Sequence, residues 1–517
     1  MFSKIGRGQH SQIFENIQIV EPDVFKDLAV LTSSVFAGSG LSEGFLLVNP
    51  EEGTAKGRCR LLFRPGFSAS FTVYFLREVN AYFLLAPRSG LLSADSQPVS
   101  GGVPHLLQPG CILRDRYGGC IYYAEISAAF QAVPGDSLVF QAENLNFRYP
   151  GSDTGLHNFS FRETGGRLVG IMGQSGSGKS TLLSMLTGRQ SPDSGSITVN
   201  GLDIYRDAAR LEGVIGYVPQ DDLLFEHLSV FDNLAFNAAL CLSNLDPKTR
   251  TGKVEALLDE LGQLATRDLP VGSSLQKTIS GGERKRLNIA LELLREPSIL
   301  LVDEPTSGLS SSDSENVMAL LKAQAAKGKL VIVVIHQPSS RIFRMFDSLW
   351  VLDQGGRPIF SGNPLDAIVY FRTEAQQAGM EEYACPRCGH VNPEQLFEII
   401  QARAVDENGC FMRERRIAPE EWHRRFLSSQ HSRIPEASPF SSPPEQKMEK
   451  RLWRPGFAGQ FRIFFLRTVK NHLSNRQYLL INLLEPPLLA LIAALICRGS
   501  WGMDYVFMDN RNLANFF

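Results

Sequence analysis

The apolar residues fall into distinct rhythms along the chain. Up to about residue 137 they come in short runs, Arg60-Leu-Leu-Phe-Arg, Phe71-Thr-Val-Tyr-Phe-Leu and Ala81-Tyr-Phe-Leu-Leu. Clusters of Gly, Pro and Ser separate them, among them Ser100-Gly-Gly-Val-Pro and Gln108-Pro-Gly. That punctuation predicts a β-rich accessory domain over 1–137. Residues 138–375 alternate strand-like with helix-like segments and predict an α/β domain. Residues 376–455 are polar and irregular and include Ile434-Pro-Glu-Ala-Ser-Pro-Phe-Ser-Ser-Pro-Pro, which reads as a flexible linker.

A helical rhythm returns in 456–517. Phe457, Phe461, Phe464, Phe465 and Val469 recur at helix spacing, interleaved with Arg462, Arg467, Lys470 and Arg476. This predicts a basic amphipathic helix on a membrane surface, its charge placing that side in the cytoplasm. Tyr478 to Cys497 follows without a basic side chain and is long enough for a first membrane span. Asn482, Glu485, Pro486 and Pro487 interrupt it, so an amphipathic or buried helix broken at the prolines is the alternative.

Composition narrows the class. A chain of 517 residues suits about three domains. With 21% charged and 43% hydrophobic residues the mixture is globular rather than disordered. A net charge of −2 supplies no overall field toward nucleic acid, and no nucleic-acid partner is expected. The 8 cysteines are scattered, without the framework of a secreted domain, and the N-terminus lacks the apolar run of a signal peptide.

The chemistry sits between Gly173 and His336. Gly173-Gln-Ser-Gly-Ser-Gly-Lys-Ser fits the phosphate-loop pattern, after the strand-like Leu168-Val-Gly-Ile-Met and before the helical Thr181-Leu-Leu-Ser-Met-Leu. In such a loop, backbone N–H groups from Gly173, Gln174, Ser175, Gly176, Ser177, Gly178 and on to Thr181 wrap phosphates at a helix N-terminus. Lys179 would reach the β- and γ-phosphates, and the Ser180 hydroxyl would ligate Mg²⁺. The apolar run Ile299-Leu-Leu-Val ends in Asp303 and Glu304. Asp303 would help hold Mg²⁺, and Glu304 would polarise the attacking water.

Between them stands Ile279-Ser-Gly-Gly-Glu-Arg-Lys-Arg, which resembles the signature motif of ABC ATPases. The resemblance implies a P-loop NTPase fold of the ABC type, with a helical signature subdomain, that binds ATP and Mg²⁺ and hydrolyses ATP. It implies that Ser280, Gly281, Gly282 and Glu283 cap the nucleotide of a second cassette. It places Tyr149 against adenine, Gln220 beside the Mg²⁺ and γ-phosphate, and His336 as the γ-phosphate switch. Ser307-Gly-Leu-Ser-Ser-Ser-Asp matches the loop that crosses the dimer interface.

Within that family, Gly282-Glu-Arg-Lys-Arg-Leu, Asp303-Glu-Pro-Thr-Ser-Gly-Leu and Ile335-His-Gln-Pro-Ser-Ser resemble the White-type, or G, subfamily, in which the cassette precedes a membrane domain. Glu283 stands where the general motif has glutamine, a trait the subfamily shares. The wider chain, with its β-rich start and Asn392-Pro-Glu-Gln-Leu-Phe, is similar to large bacterial fused ABC proteins. The expectation is a half-transporter at the membrane, its cassette on the cytoplasmic face and its remaining spans in a longer chain or a partner. A cytosolic ABC ATPase and an ATP-regulated binding module are the alternatives.

Cys385-Pro-Arg-Cys-Gly-His resembles half of a zinc ribbon. Cys385 and Cys388 are the candidate Zn²⁺ ligands, with His390, Cys410 and His423 as completing groups. An unmetallated loop is the alternative.

Overall fold

The structure is a computed structural model. It describes residues 138–375 (save 153 and 274–277), 393–405, 411–429 and 452–497, with shorter stretches between 45 and 130. The chain divides into two compact units, one of residues 1–221 with 296–451, the other of 222–295 with 452–517.

The first unit begins with the expected β-rich region. Strands β1 (Phe45–Val48), β2 (Arg60–Leu62), β3 (Phe71–Leu76), β4 (Ala81–Leu85) and β7 (Pro104–Leu107) form a sheet in the order β2-β1-β3-β4-β7. Strands β5 (Leu92–Ala94), β6 (Gln97–Pro98), β8 (Ile112–Asp115) and β9 (Cys120–Tyr122) form a second, in the order β6-β5-β8-β9. One apolar core joins them, with Val73, Leu84, Leu113 and Ile121 fully buried. The turn residues seen in the sequence cut the runs short, so each strand is brief.

The α/β part of the unit is built from two further sheets. An antiparallel sheet pairs β10 (Val139–Arg148), β11 (Gly155–Thr164), β13 (Ser194–Val199) and β14 (Leu202–Asp203) in the order β11-β10-β13-β14. Alternating buried and exposed positions along β10 and β11 fit strands with one face in the core. The second sheet holds β15 (Ile215–Val218), β16 (Ile299–Asp303), β17 (Leu330–Val334), β12 (Leu168–Gly173), β18 (Ser348–Asp353) and β19 (Arg357–Gly362), in that order. Its first five strands are parallel, and only β19 runs antiparallel. Strands β12, β17 and β18 are buried throughout, as continuous apolar runs in a covered parallel sheet should be.

Helix α1 (Lys179–Leu186) lies in the core that both sheets share. Its Leu182, Leu183, Met185 and Leu186 pack with Phe140, Phe161, Ile171 and Trp350. That burial fixes the start of α1 at the end of β12, where the phosphate loop turns.

Residues beyond β19 fold back onto the same unit. They form α7 (Pro364–Glu374), α8 (Glu394–Ile400), the hairpin β20 (Arg403–Val405) and β21 (Phe411–Arg415), and α9 (Pro419–Ser428). Trp422 is fully buried, edge-on against Phe371. His423 Nδ1 donates to the Pro358 carbonyl at 2.7 Å. Between β16 and α7 run α5 (Ser311–Ala326) and α6 (Ser340–Phe343).

The second unit is helical: α2 (Val230–Cys241), α3 (Pro247–Glu260), α4 (Gly281–Leu293), α10 (Phe457–Ser474) and α11 (Arg476–Cys497). Each of α2, α3 and α4 starts at a Ser or Asp whose side chain accepts from the first turn. The predicted amphipathic helix is α10. The expected apolar segment is α11, and Pro486 and Pro487 lie inside it without ending it. The alternative of a helix broken there does not hold. From Gln477 to Leu495, α11 is long and apolar enough to cross a membrane, the one such helix among the described residues.

Candidate functional site

Parallel strands aim their C-terminal ends at one edge of the sheet, and ligands of open α/β sheets bind at that edge. Register brings the predicted residues together there. Ile171 of β12 pairs with Val334 of β17, and Val334 pairs with Asp303 of β16. Val302 in turn pairs with Val218 of β15. Gly173, Gln220, Asp303, Glu304 and His336 therefore leave the sheet from adjacent strand ends.

The phosphate loop runs from Gly173 to the first turn of α1. Gly176 and Gly178 have φ of 78° and 85°, a region costly for residues with a Cβ. Gly178 is the N-cap of α1, and its side is already tight: a Cβ there would lie 3.0 Å from the Gly155 carbonyl oxygen. The N–H groups of Lys179, Ser180 and Thr181 open the helix without an earlier turn to bond to, which makes an anion cradle. No side chain caps this N-terminus.

Lys179 is buried. Its Nζ donates to the carbonyls of Gly173 at 2.8 Å and Gln174 at 2.7 Å. Burial pushes its pKa down, and Glu304 and Asp303 push it back up. The ammonium thus holds its own loop closed with two bonds that a phosphate oxygen can replace. Ser177 Oγ and Gln174 Nε2 are buried without a partner among the described residues. Buried polar atoms of this kind are costly unless a ligand or water satisfies them.

Glu304 stands in the left-handed region, with φ of 42°. For a residue with a side chain that conformation is strained and recurs at functional sites. Two backbone bonds hold it: Glu304 N–H donates to Val334 O at 3.1 Å, and Ser307 N–H to Glu304 O at 3.2 Å. Gln220 Nε2 donates to the Glu304 carboxylate at 3.2 Å. Asp303 takes a long bond of 3.5 Å from the Tyr217 hydroxyl. Burial, and then Asp303, raise the Tyr217 pKa, so the phenol stays protonated as a donor. His336 is exposed just past β17.

Tyr149 is 43% exposed. Its ring stands edge-on to Phe147, centroids 5.0 Å apart, and its hydroxyl bonds Thr181 Oγ1 at 2.9 Å. The aromatic is thereby tied to the first turn of α1 with a ring face left open. The second unit carries the signature residues. Ser280 is the N-cap of α4, with Gly281 and Gly282 in its first turn. Ser280 and Glu283 form a capping box: Ser280 N–H donates to Glu283 Oε2 at 2.7 Å, and Glu283 N–H to Ser280 Oγ at 3.2 Å. That bond gives the Glu283 side chain a structural role at the start of the helix.

Residues 156–307 match the family model described as ABC transporter. These residues form an ABC-transporter ATP-binding cassette. ABC transporter G family member 21 of Arabidopsis thaliana is 42% identical over 216 residues, 41% of this chain and 32% of that relative. G family member 24 of Dictyostelium discoideum is 41% identical over 225 residues, 42% of this chain and 19% of the relative. The chain thus spans about a third or less of these relatives' length. A solved structure titled as cbiO1 from Clostridium perfringens, part of the ABC transporter complex cbiONQ, aligns with a TM-score of 0.42 at 27% identity. That alignment covers 49% of this chain and 98% of the other. An ABC cassette binds ATP with Mg²⁺, and the donor set fits both: open N–H groups and Lys179 for phosphates, Ser180 and Asp303 for a hard cation.

Cys385, Cys388, His390 and Cys410 lie outside the described residues. Among the described residues no group of three or more His, Cys, Asp or Glu is arranged to hold a metal. His423 is on the buried face of α9, with one ring nitrogen committed to Pro358. Sequence reasoning passed over Tyr217, which has only its place at the end of β15 to mark it, and Arg415, which lies far from any motif.

Proposed function

We propose that this chain binds and hydrolyses ATP and uses the cycle to drive transport across a membrane, as the cassette part of a White-type half-transporter. The observation that carries the reading is the convergence of the phosphate loop, Asp303, the strained Glu304 and Gln220 at adjacent strand ends.

In this reading Lys179 trades its two carbonyl partners for phosphate oxygens, whose charge favours the protonated amine against burial. Ser180, Asp303 and Gln220 hold Mg²⁺, which supplies charge neutralisation on the phosphates when bound. Tyr149 offers its open face to adenine. Glu304 accepts a proton from the attacking water, with the Gln220 amide fixing the carboxylate. His336 contacts the terminal phosphate. Residues Ser280 to Glu283, at the N-terminus of α4, meet the nucleotide of a second cassette, since a helix N-terminus favours anions. The partner is a second copy or a related chain. Helices α10 and α11 attach the cassette to the membrane, with α10 on the cytoplasmic surface, and further spans belong to the transport pathway.

Glu304→Gln should bind ATP near normally and lose turnover by about 100-fold or more, the scale of general-base loss. Lys179→Ala should weaken both binding and turnover. Phosphate release and ATP binding on the purified chain check this. A Glu304→Gln protein with near wild-type turnover removes the assignment of the base.

A further inference from the structure

The segment beyond the cassette sends one side chain back to the phosphate loop. Arg415, the last residue of β21, lies well outside residues 156–307, which carry the family match. Its Nη1 donates to both carboxylate oxygens of Asp353, at 2.9 and 3.0 Å. Its Nη2 reaches Gln174 Oε1 at 3.3 Å. Gln174 is the second residue of the phosphate loop, and its backbone carbonyl is one of the two that receive Lys179. Asp353, 1% exposed, ends β18, the strand that pairs with β12 up to Gly173.

Arg415 is itself held in place. The polypeptide after it is anchored by buried Trp422, by the bond from His423 to Pro358, and by ion pairs of Arg357 with Glu420 and of Arg425 with Glu374. A guanidinium already held by both oxygens of one buried carboxylate loses little freedom in bonding a second residue. Without that contact the Gln174 Oε1 would lose its bond to Arg415, on an amide whose Nε2 is already buried and unpartnered among the described residues.

We propose that Arg415 is a positioning residue for ATP binding, by which residues 411–429 set the shape of the phosphate loop through the side chain of Gln174. This rests on the reading of the loop as an ATP site. Arg415 acts through Gln174 rather than on Lys179 directly: its bonds go to Asp353 and to the Gln174 amide. It fixes the peptide whose carbonyl Lys179 leaves when a phosphate arrives. Its loss should therefore appear in binding and KM, with kcat at saturating ATP unchanged.

The test is ATP binding to the full chain by titration calorimetry without Mg²⁺, with ATPase KM and kcat alongside. Arg415→Gln should raise the Kd for ATP about three- to tenfold, the scale of one lost hydrogen bond. Removing Arg415 also strands the buried Asp353 carboxylate, which by itself destabilises the fold. The double variant Asp353→Asn/Arg415→Gln relieves that charge while still lacking the Gln174 contact. It should melt near wild type and keep the raised Kd. Gln174→Ala should raise Kd similarly, and adding Arg415→Gln to it should change Kd no further. If the Asp353→Asn/Arg415→Gln protein binds ATP as wild type does, Arg415 serves only to pair Asp353 and the proposal falls. A fall in kcat with unchanged KM overturns it equally. A wild-type chain that binds no ATP defeats the ATP reading itself, a result distinct from equal binding by wild type and variant.

Discussion

At the residue scale the signature serine and its glutamate carry two duties. Ser280 offers its hydroxyl to the Glu283 N–H, and Glu283 returns a carboxylate oxygen to the Ser280 N–H. These bonds satisfy donors at the start of α4 that no earlier turn can. Glu283→Gln keeps an acceptor of the same length and should unfold in denaturant within about 0.5 kcal/mol of wild type, as substitutions that break no contact do. Glu283→Ala should lose about 1 kcal/mol, the usual worth of a capping contact. Equal stability of the two variants would show that the side-chain half of the box contributes nothing. The residue types at this site were legible in the sequence because phosphate chemistry demands them at fixed spacing. The backbone strain at Glu304 was not, since glutamate has no propensity for positive φ and the bonds to Val334 and from Ser307 that hold it come from the fold. Arg415 was equally hidden. Its partners Gln174 and Asp353 are distant in sequence, and only the folding of β21 onto the unit brings the three together.

At the scale of elements, the strands and helices of the cassette followed from apolar runs, because both faces of a parallel sheet are covered and the runs are unbroken. The segment after residue 376 read as irregular, and within it α8, β20, β21 and α9 are short elements that gain their stability from docking rather than from propensity. Helix α9 shows how. Buried Trp422 and His423 face β19 and α7, while Arg424 and Glu421 lie outward and pair with each other. The position of His423 gives this docking a pH dependence. Burial lowers its pKa below the usual value of about 6.5, Arg357 and His157 lower it further, and the bond to Pro358 offsets them in part. The folded ring is therefore neutral where the unfolded one begins to charge. The stability it lends is complete above about pH 6.5 and is lost as the pH falls from there toward the depressed folded value. Hydrogen exchange of residues 419–428 should be faster, relative to the cassette strands, at pH 5.5 than at pH 7.5. His423→Gln, which keeps a donor for Pro358 and cannot titrate, should flatten that difference. A pH response unchanged by the substitution would rule His423 out as its source.

For the whole molecule, the second unit joins an exposed apolar surface to the signature helix bundle. On one side of α10, Arg467 lies over the Phe225 ring at 4.2 Å and Lys470 pairs with Asp232 of α2 at 2.7 Å. At its end Asn475 bonds His227 at 2.9 Å, and before it Trp453 exchanges backbone bonds with Cys241 and Ser243. On other sides Phe457, 88% exposed, Phe461, Phe465 and Leu473 face outward, followed by the exposed leucines of α11. An apolar surface of this extent calls for a cover, and a bilayer covers a 22-residue helix as water cannot. The two helices should then bind a membrane in different ways. Basic α10 should lie in the interface, held by burial of its phenylalanines plus attraction to anionic lipid, which salt screens. Helix α11, once inserted, is held by its apolar length alone. With vesicles of mixed neutral and anionic lipid, the full chain should stay bound through high salt and alkaline carbonate. A chain ending at Asn475, which keeps α10 and its contacts to α2, should bind anionic vesicles at low salt and be released by either wash. Release of the full chain by carbonate would show that α11 does not insert, and retention of the shortened chain would show that α10 alone anchors it. In either case Arg467 and Lys470 of α10 tie the anchoring segment to the bundle that carries Ser280.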